Sequence, residues 1–372
     1  MANATTSPKQ ELMSSKIRAR QGHWRGSQRL HARLRKIGAF VAIVAVGLFF
    51  LVPFLWMLST ALKSDQDIFR TPPTLLPHDS RQVAIDGQSY PVYQVEVAGQ
   101  VRELALLNIA EGYGDFVDPA TPDAVLTIRM KFAQPVLDVG PRWHNFPDAL
   151  NRATRPSLNV NFWTYIQNSL IVAIFSILGT LLSCTPAAYG FARIKWWGRD
   201  VVFVLVLATM MLPFQVTMIP LYILFTGTLA WGNTFLPLIV PTFFGNAFDI
   251  FLLRQFFRTI PEELADAARV DGASEFRIFW AIMLPLSTPV LAAITVFTFL
   301  WAWNDFTGPL LFLTDPRRFT MALGLQDFQG QHAVSWNLLM AAAAVFTVPI
   351  VILFFFAQRT FIQGVKLTGL KG

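Results

Sequence analysis

Ile37–Leu62, Pro156–Ala192, Val201–Phe248, Ile278–Asn304 and Gly330–Gln358 contain no Asp, Glu, Lys or Arg. A helix of roughly 20 apolar residues crosses a bilayer, and in lipid only a structure that satisfies its own backbone is stable. Each run is long enough for one crossing. Val201–Phe248 has room for two, with TGTLAWGNT inside it as the turn. Spans are therefore expected near 37–60, 166–191, 201–225, 233–253, 286–306 and 338–358. Only 14% of the chain is charged, against about a quarter in soluble domains. Five such runs in series argue against a soluble core, and the expected fold class is an all-α polytopic membrane protein with six transmembrane helices.

The basic region before the first run is long, the run outlasts a signal-peptide core, and no small-residue cleavage site follows it. It is therefore expected to be a retained first span. Lys and Arg cluster in the N-terminal segment, after spans two and four and after span six, while TGTLAWGNT has none. The positive-inside rule then puts both termini in the cytoplasm of a bacterial or archaeal inner membrane. This bias accounts for most of the net charge of +7, so it is not read as nucleic-acid binding; the basic arm suits anionic lipid. The one cysteine, Cys184, falls within span two, which excludes a disulfide framework or a thiolate metal cluster.

The organisation expected is a basic arm (1–36), a first helix (37–60), an extracytoplasmic loop (61–160), a membrane core (161–358) and a tail (359–372). Within the loop, about 80–136 reads as a small β-rich insertion. QVAIDGQSYPVYQVEV has the pattern of a hairpin turning at Asp86-Gly87. Leu126, Ile128, Met130 and Phe132 alternate with polar residues, as in a half-buried strand. FPDALNRA suits a short helix leading back to the membrane.

One acid-rich segment, 259–285, interrupts the apolar runs. Thr259 and Glu262 fit a capping box, and Pro261 suits a first helical turn. A helix is expected from about Ile260 to Asp271, with Leu264, Ala267, Ala268 and Asp271 on one face. The alanines make that face shallow. Gly272 is expected to end the helix with positive φ. Ser274 can cap a second helix carrying an apolar stripe of Phe276, Phe279, Trp280 and Met283, before Pro285 starts span five. The product is a rigid cytoplasmic elbow.

This elbow resembles the signature of importer permeases of the ATP-binding cassette class: E-A-A, three residues, Gly, nine residues, Ile, one residue, Leu-Pro. Here these are Asp266-Ala267-Ala268, Gly272, Ile282 and Leu284-Pro285, with Asp266 in place of the usual Glu. MLSTALKSDQDIF, NSLIVA, AAYGFARIKWWGRD, LPFQVTMIPLY, FLLRQFFRTIPEEL and WNDFTGPLLFLTDP look like the carbohydrate-importer branch. The tail QRTFIQGVKLTGLKG is similar to that of the six-span permease subunits of maltose importers. The likeness covers about 37–75 and 140–372, leaving out the basic arm and the β-rich insertion.

The resemblance implies a non-catalytic subunit forming half of a sugar pathway. A homologous permease supplies the other half, two ATPase subunits use ATP and Mg, and an external solute-binding protein delivers the sugar. The chain has no phosphate loop, so the expectation is no cofactor bound here. Glu262, Glu263, Leu264, Asp266, Ala267, Ala268, Asp271, Gly272, Ala273, Ser274, Ile282, Leu284 and Pro285 are the implied ATPase-coupling residues. Gln358, Arg359, Gly364 and Lys371 would carry a tail contact with the ATPase subunits. Candidates for the substrate path are Trp303, Asn304, Asp305, Gln215 and Asn168, with aromatic faces for sugar rings and polar groups for hydroxyls. Asp249, one turn before Arg254, is expected to pair or to meet water near the cytoplasmic edge. An importer for an oligopeptide, polyamine or phosphate is the alternative. A membrane enzyme would need Asp249, Asp305 or His332 to converge, and a secondary transporter would want paired midplane charges and a repeat.

Overall fold

The computed structural model describes residues 8–85, 87–97, 99–151, 153–155, 158–328 and 335–368, with residues 8–32, 122, 123, 153–155 and 359–368 described by backbone alone. Asp86, His332 and Lys371 lie outside the described residues. The chain divides into two compact units, Met1–Met57 and Leu58–Gly372. The first consists of most of one long helix, Pro8–Ala61, whose apolar part Arg33–Ala61 is long enough to span a membrane.

In the second unit, Phe162–Ala192, Leu236–Thr259 and Trp336–Gln358 are also long and apolar enough to cross. Two further helix pairs pass the same test only when each bent pair is taken together, so the described residues hold four such helices, or up to six. Arg199–Thr209 and Phe214–Thr228 meet at 88°, where an unbroken span over 201–225 is the sequence expectation. Pro213 explains the break: it lacks a backbone N–H and pushes Leu212 out of helical geometry. Glu275–Leu286 and Thr288–Asn304 meet at 77°. There the Ser287 N–H closes on the carbonyls of Met283 and Leu284 at 3.1 and 3.0 Å, and Pro289 lies in the first turn of the new helix.

Between the first and second long helices lies an antiparallel sheet. Gln82–Ile85, Gln88–Val97, Gln100–Ala110, Tyr113–Asp118 and Thr121–Arg129 pair in chain order, and Ala133–Pro135 adds to the Gln88–Val97 strand. His78–Ser80 pairs with Leu137–Val139, drawing together the two ends of the segment. Tyr93, Val95, Leu104, Leu106 and Phe116 form its core, with the Tyr93 and Phe116 rings edge to face at 5.8 Å. The expected Leu126–Phe132 alternation holds only in part. The strand gives way to a tight turn at Met130–Phe132, so Ile128 and Met130 pack on the core while Phe132 is exposed. The short helix read from FPDALNRA is Asn145–Asn151.

The apolar core of this unit has two centres along the Phe162–Ala192 helix. One gathers Phe162, Tyr165, Trp303, Met321 and Leu338 near the start of that helix. The other gathers Cys184, Tyr189, Leu253, Phe257, Ile278 and Ile294 near its end. Gly179 sits between them, where a Cβ would strike Thr242 Oγ1 and come within 2.6 Å of the Phe243 ring. Glycine is what lets the two backbones approach.

Candidate functional site

The acid-rich segment forms a bent pair of helices. The first runs Glu262–Val270, shorter than the expected 260–271. The capping box is not formed. Thr259 ends the preceding Ala247–Thr259 helix and its hydroxyl donates to the Phe256 carbonyl at 2.7 Å. The residue before the new helix is Pro261, whose fixed φ starts the helix without a side-chain cap. Ala265 faces inward, while Glu262, Glu263, Leu264, Asp266 and Ala267 are exposed and Ala268 is half-buried. Gly272 takes φ 80°, and the Ala273 N–H returns to the Ala268 carbonyl at 2.9 Å. Asp271 and Gly272 at the bend are open to solvent.

Ser274 caps the second helix, accepting from the Arg277 N–H at 3.4 Å. After Glu275–Ile278 the chain widens into a π turn, Phe279–Met283, before Leu284–Leu286. That extra residue per turn splits the expected apolar stripe. Phe279 and Met283 are buried against Tyr189 and its neighbours, whereas Phe276 and Trp280 are exposed. Ile282 and Leu284 are half-buried and Pro285 is exposed.

Two polar connections fix the elbow. Arg269 donates to Asp266 at 2.6 Å and to Glu275 at 2.8 Å, closing the angle between its helices. Asp266 therefore has a basic partner within its own chain. From the side, the Tyr189 hydroxyl donates to Glu275 at 2.5 Å. Arg193, just beyond the same helix, donates to the carbonyls of Phe257 (2.6 Å) and Ile260. The Tyr189 and Arg193 contacts join positions 64 to 86 residues apart, and no local pattern announces them.

The path candidates scatter. Trp303 is fully buried, stacked on Phe299 at 5.2 Å, with its indole N–H on the Phe346 carbonyl at 3.1 Å. Asn168 spends its amide on the carbonyls of Arg317 and Phe319, both at 2.9 Å. Both therefore hold the fold in this state rather than face an opening. Asn304 is exposed and donates to the Leu300 carbonyl at 2.8 Å. Asp305 accepts from the Gly308 N–H at 3.0 Å and lines a cavity of about 360 Å³ with Phe214, Met218 and Trp301. Gln215 is exposed next to Phe214. Of the tail candidates, Gln358 donates to the Phe355 carbonyl at 3.1 Å, and Arg359 and Gly364 continue the Trp336–Thr368 helix.

Asp249 does not pair with Arg254. Arg254 lies 3.8 Å from Asp200 and 4.0 Å above the Phe203 ring, with Nε on the Phe191 carbonyl at 3.2 Å. Asp249 instead lines a second cavity, about 410 Å³, with Thr180, Phe248, Phe297, Thr298 and Trp301. Trp301 borders both cavities. Sequence reasoning missed Trp301 because nothing distinguishes it from Trp303 two positions on. Among the described residues, no group of three or more His, Cys, Asp or Glu is placed to hold a metal.

The family model for the binding-protein-dependent transport system inner membrane component matches residues 179–367. The arabinooligosaccharides transport system permease protein AraQ of Halalkalibacterium halodurans is 38% identical over 57% of this chain and 75% of its own length. The trehalose/maltose transport system permease protein MalG of Thermococcus litoralis is 34% identical over 57% of this chain and 77% of its own. Among solved structures, a chain of a bacterial ABC transporter involved in import of the acidic polysaccharide alginate aligns with TM-score 0.60. That alignment covers 88% of this chain and 97% of the other at 21% identity, a likeness of fold.

Proposed function

The chain belongs to the binding-protein-dependent transport system inner membrane component family, and from that premise we propose that it is the permease subunit of an ATP-binding-cassette importer for a sugar or oligosaccharide. It forms half of a transmembrane pathway, paired with a homologous permease, driven by two ATPase subunits and loaded by an extracytoplasmic binding protein. The chain itself is non-catalytic; ATP and Mg are used by its partners. Both termini lie in the cytoplasm, and the strands of 78–139 face the outside. The saccharide class rests on relatives named for arabinooligosaccharide or trehalose/maltose transport at 34–38% identity.

The observation that carries the coupling role is the elbow's combination of a shallow exposed face and a rigid frame. Ala267 and Gly272 present little side-chain bulk beside the apolar side chain of Leu264, and all three are open to solvent. Arg269, Tyr189 and Glu275 keep the two helices at a fixed angle. A small-residue surface on a stiff support suits insertion into a cleft of an ATPase subunit, with Glu262 and Glu263 free for basic groups there. Closure of the ATPase pair then moves the elbow, and the bend at Ser287 passes the displacement to Thr288–Asn304. Substrate passes along the face bordered by Trp301 and Asp305.

Cysteines placed at Ala268 or Gly272 test this in the assembled importer. Cys184 is buried, so cross-links report the new positions. Cross-linking to an ATPase subunit, with loss of saccharide-stimulated ATP hydrolysis, is the expected result. Failure of both positions to reach an ATPase subunit in a working complex removes the coupling role.

A further inference from the structure

A carboxylate within a membrane-spanning helix is costly unless a counter-charge meets it. Asp249 is only 7% exposed, and among the described residues no counter-charge meets it. Its helix-mate Arg254 is engaged by Asp200, the Phe203 ring and the Phe191 carbonyl. Among the described residues, the Asp249 backbone N–H is capped by Asn246, at 3.3 Å, but no hydrogen bond or ion pair reaches its carboxylate. That carboxylate borders the cavity of about 410 Å³ where the rings of Phe248, Phe297 and Trp301 and the side chains of Thr180 and Thr298 also lie.

We propose that this cavity is a subsite for an amino sugar, with Asp249 as the counter-ion of the ligand's ammonium group. The inference rests on the importer reading above and narrows its substrate. A cation held near aromatic faces and beside a carboxylate gains from both. The hydroxyls of Thr180 and Thr298 supply partners for ring hydroxyls. A neutral sugar leaves the buried charge uncompensated, and an acidic sugar adds repulsion. A lysine or arginine tip from the sister permease is the other source of positive charge. It would leave most of the cavity empty, since the volume is in the range of small-molecule sites, about 300 Å³ or more.

The test is calorimetric titration of the nucleotide-free complex, both permeases and both ATPase subunits, without the binding protein. The probes are the β-1,4-linked glucosamine disaccharide, cellobiose, which has hydroxyls in place of the ammonium groups, and the N-acetylated disaccharide, which has lost the charge. The glucosamine disaccharide is expected to bind at least about tenfold more tightly than the other two, a gap of about 1.4 kcal/mol. Asp249→Asn is expected to close that gap and Asp249→Glu to keep it. Equal affinity for the three sugars in the unaltered complex overturns the subsite, as does a gap that survives in D249N. Should D249N fail to assemble, the acetylated sugar still decides the matter on the unaltered protein. A complex whose ATP hydrolysis responds to saccharide delivery but which binds the three alike sinks this inference alone. One whose ATP hydrolysis ignores every saccharide sinks the importer reading.

Discussion

The Tyr189 hydroxyl donates to Oε2 of Glu275 at 2.5 Å, across 86 positions of chain. Through this bond the Phe162–Ala192 helix holds the second arm of the elbow, while Arg269 holds the first arm to the same carboxylate. Glu275 is thus the joint of a three-residue frame, and under the proposed coupling role that frame is where mutation should tell most.

Tyr189→Phe removes the hydroxyl and keeps the ring packed 5.2 Å from Phe279. A hydrogen bond to a charged group is worth more than a neutral one, but Glu275 is about half exposed, which reduces its worth to about 1 kcal/mol. Membrane insertion and assembly are expected to persist while saccharide-stimulated ATP hydrolysis falls severalfold. A double-mutant cycle with Glu275→Gln should show non-additivity of similar size; strict additivity would mean that the bond is idle.

Gly272→Val places a β-branched residue at φ 80°. Forcing an L-residue there costs about 1–2 kcal/mol, and nothing lies within 4 Å of the new Cβ to clash with it. The loss should therefore appear in ATPase coupling rather than in expression level. Wild-type stimulation of ATP hydrolysis by this variant would contradict the docking role.

Gly179→Ala should behave in the opposite way. Its Cβ would meet Thr242 Oγ1 and the Phe243 ring, and overpacking of this kind costs about 1–3 kcal/mol. A lowered denaturation midpoint of the purified complex is expected, with residual coupling intact in the protein that assembles.

The β-rich segment should be acid-sensitive. Hydrogen bonds and charge from Arg81 hold the Asp138 carboxyl below its usual 3.8. At Asp79 burial is the largest influence and works upward, but the Arg142 hydrogen bond and charge outweigh it and the carboxyl again sits low. A carboxyl lowered by folding stabilises the fold fully above its unfolded value, and that contribution disappears as pH falls through the folded one. Pepsin cleavage within 78–139 should therefore accelerate below about pH 4. Asp138→Asn should cleave faster already at higher pH and show a weaker acceleration; an unchanged pH profile would rule out the pairing.

Much of the elbow was legible because its signals are local. Gly272 ends a helix and Ser274 begins one, and each acts within four residues of itself. Thr259 misled because Pro261 offered a second way to start the helix, and the hydroxyl turned back to Phe256 instead. The membrane runs followed from charge alone, yet charge does not report direction, so the bend at Pro213 needed the proline to be weighed against the apolar run. Asn168 and Trp303 were chosen for chemistry that the fold uses on its own carbonyls. Arg193 and Tyr189 act on groups that only tertiary packing brings close, and the aspartate at 249 became informative once its neighbour on the helix proved to be committed elsewhere.

The π turn at Phe279–Met283 gives the elbow a dependence on chain length. Removing one residue there, Ala281 for instance, would restore ordinary helical spacing and leave most of the packing chemistry available. It would also turn everything before it by about 100° around the axis, the angle one residue subtends in a regular helix. The direction in which the elbow points its exposed face would then be set by arithmetic in the backbone, and a single codon would be enough to turn it elsewhere.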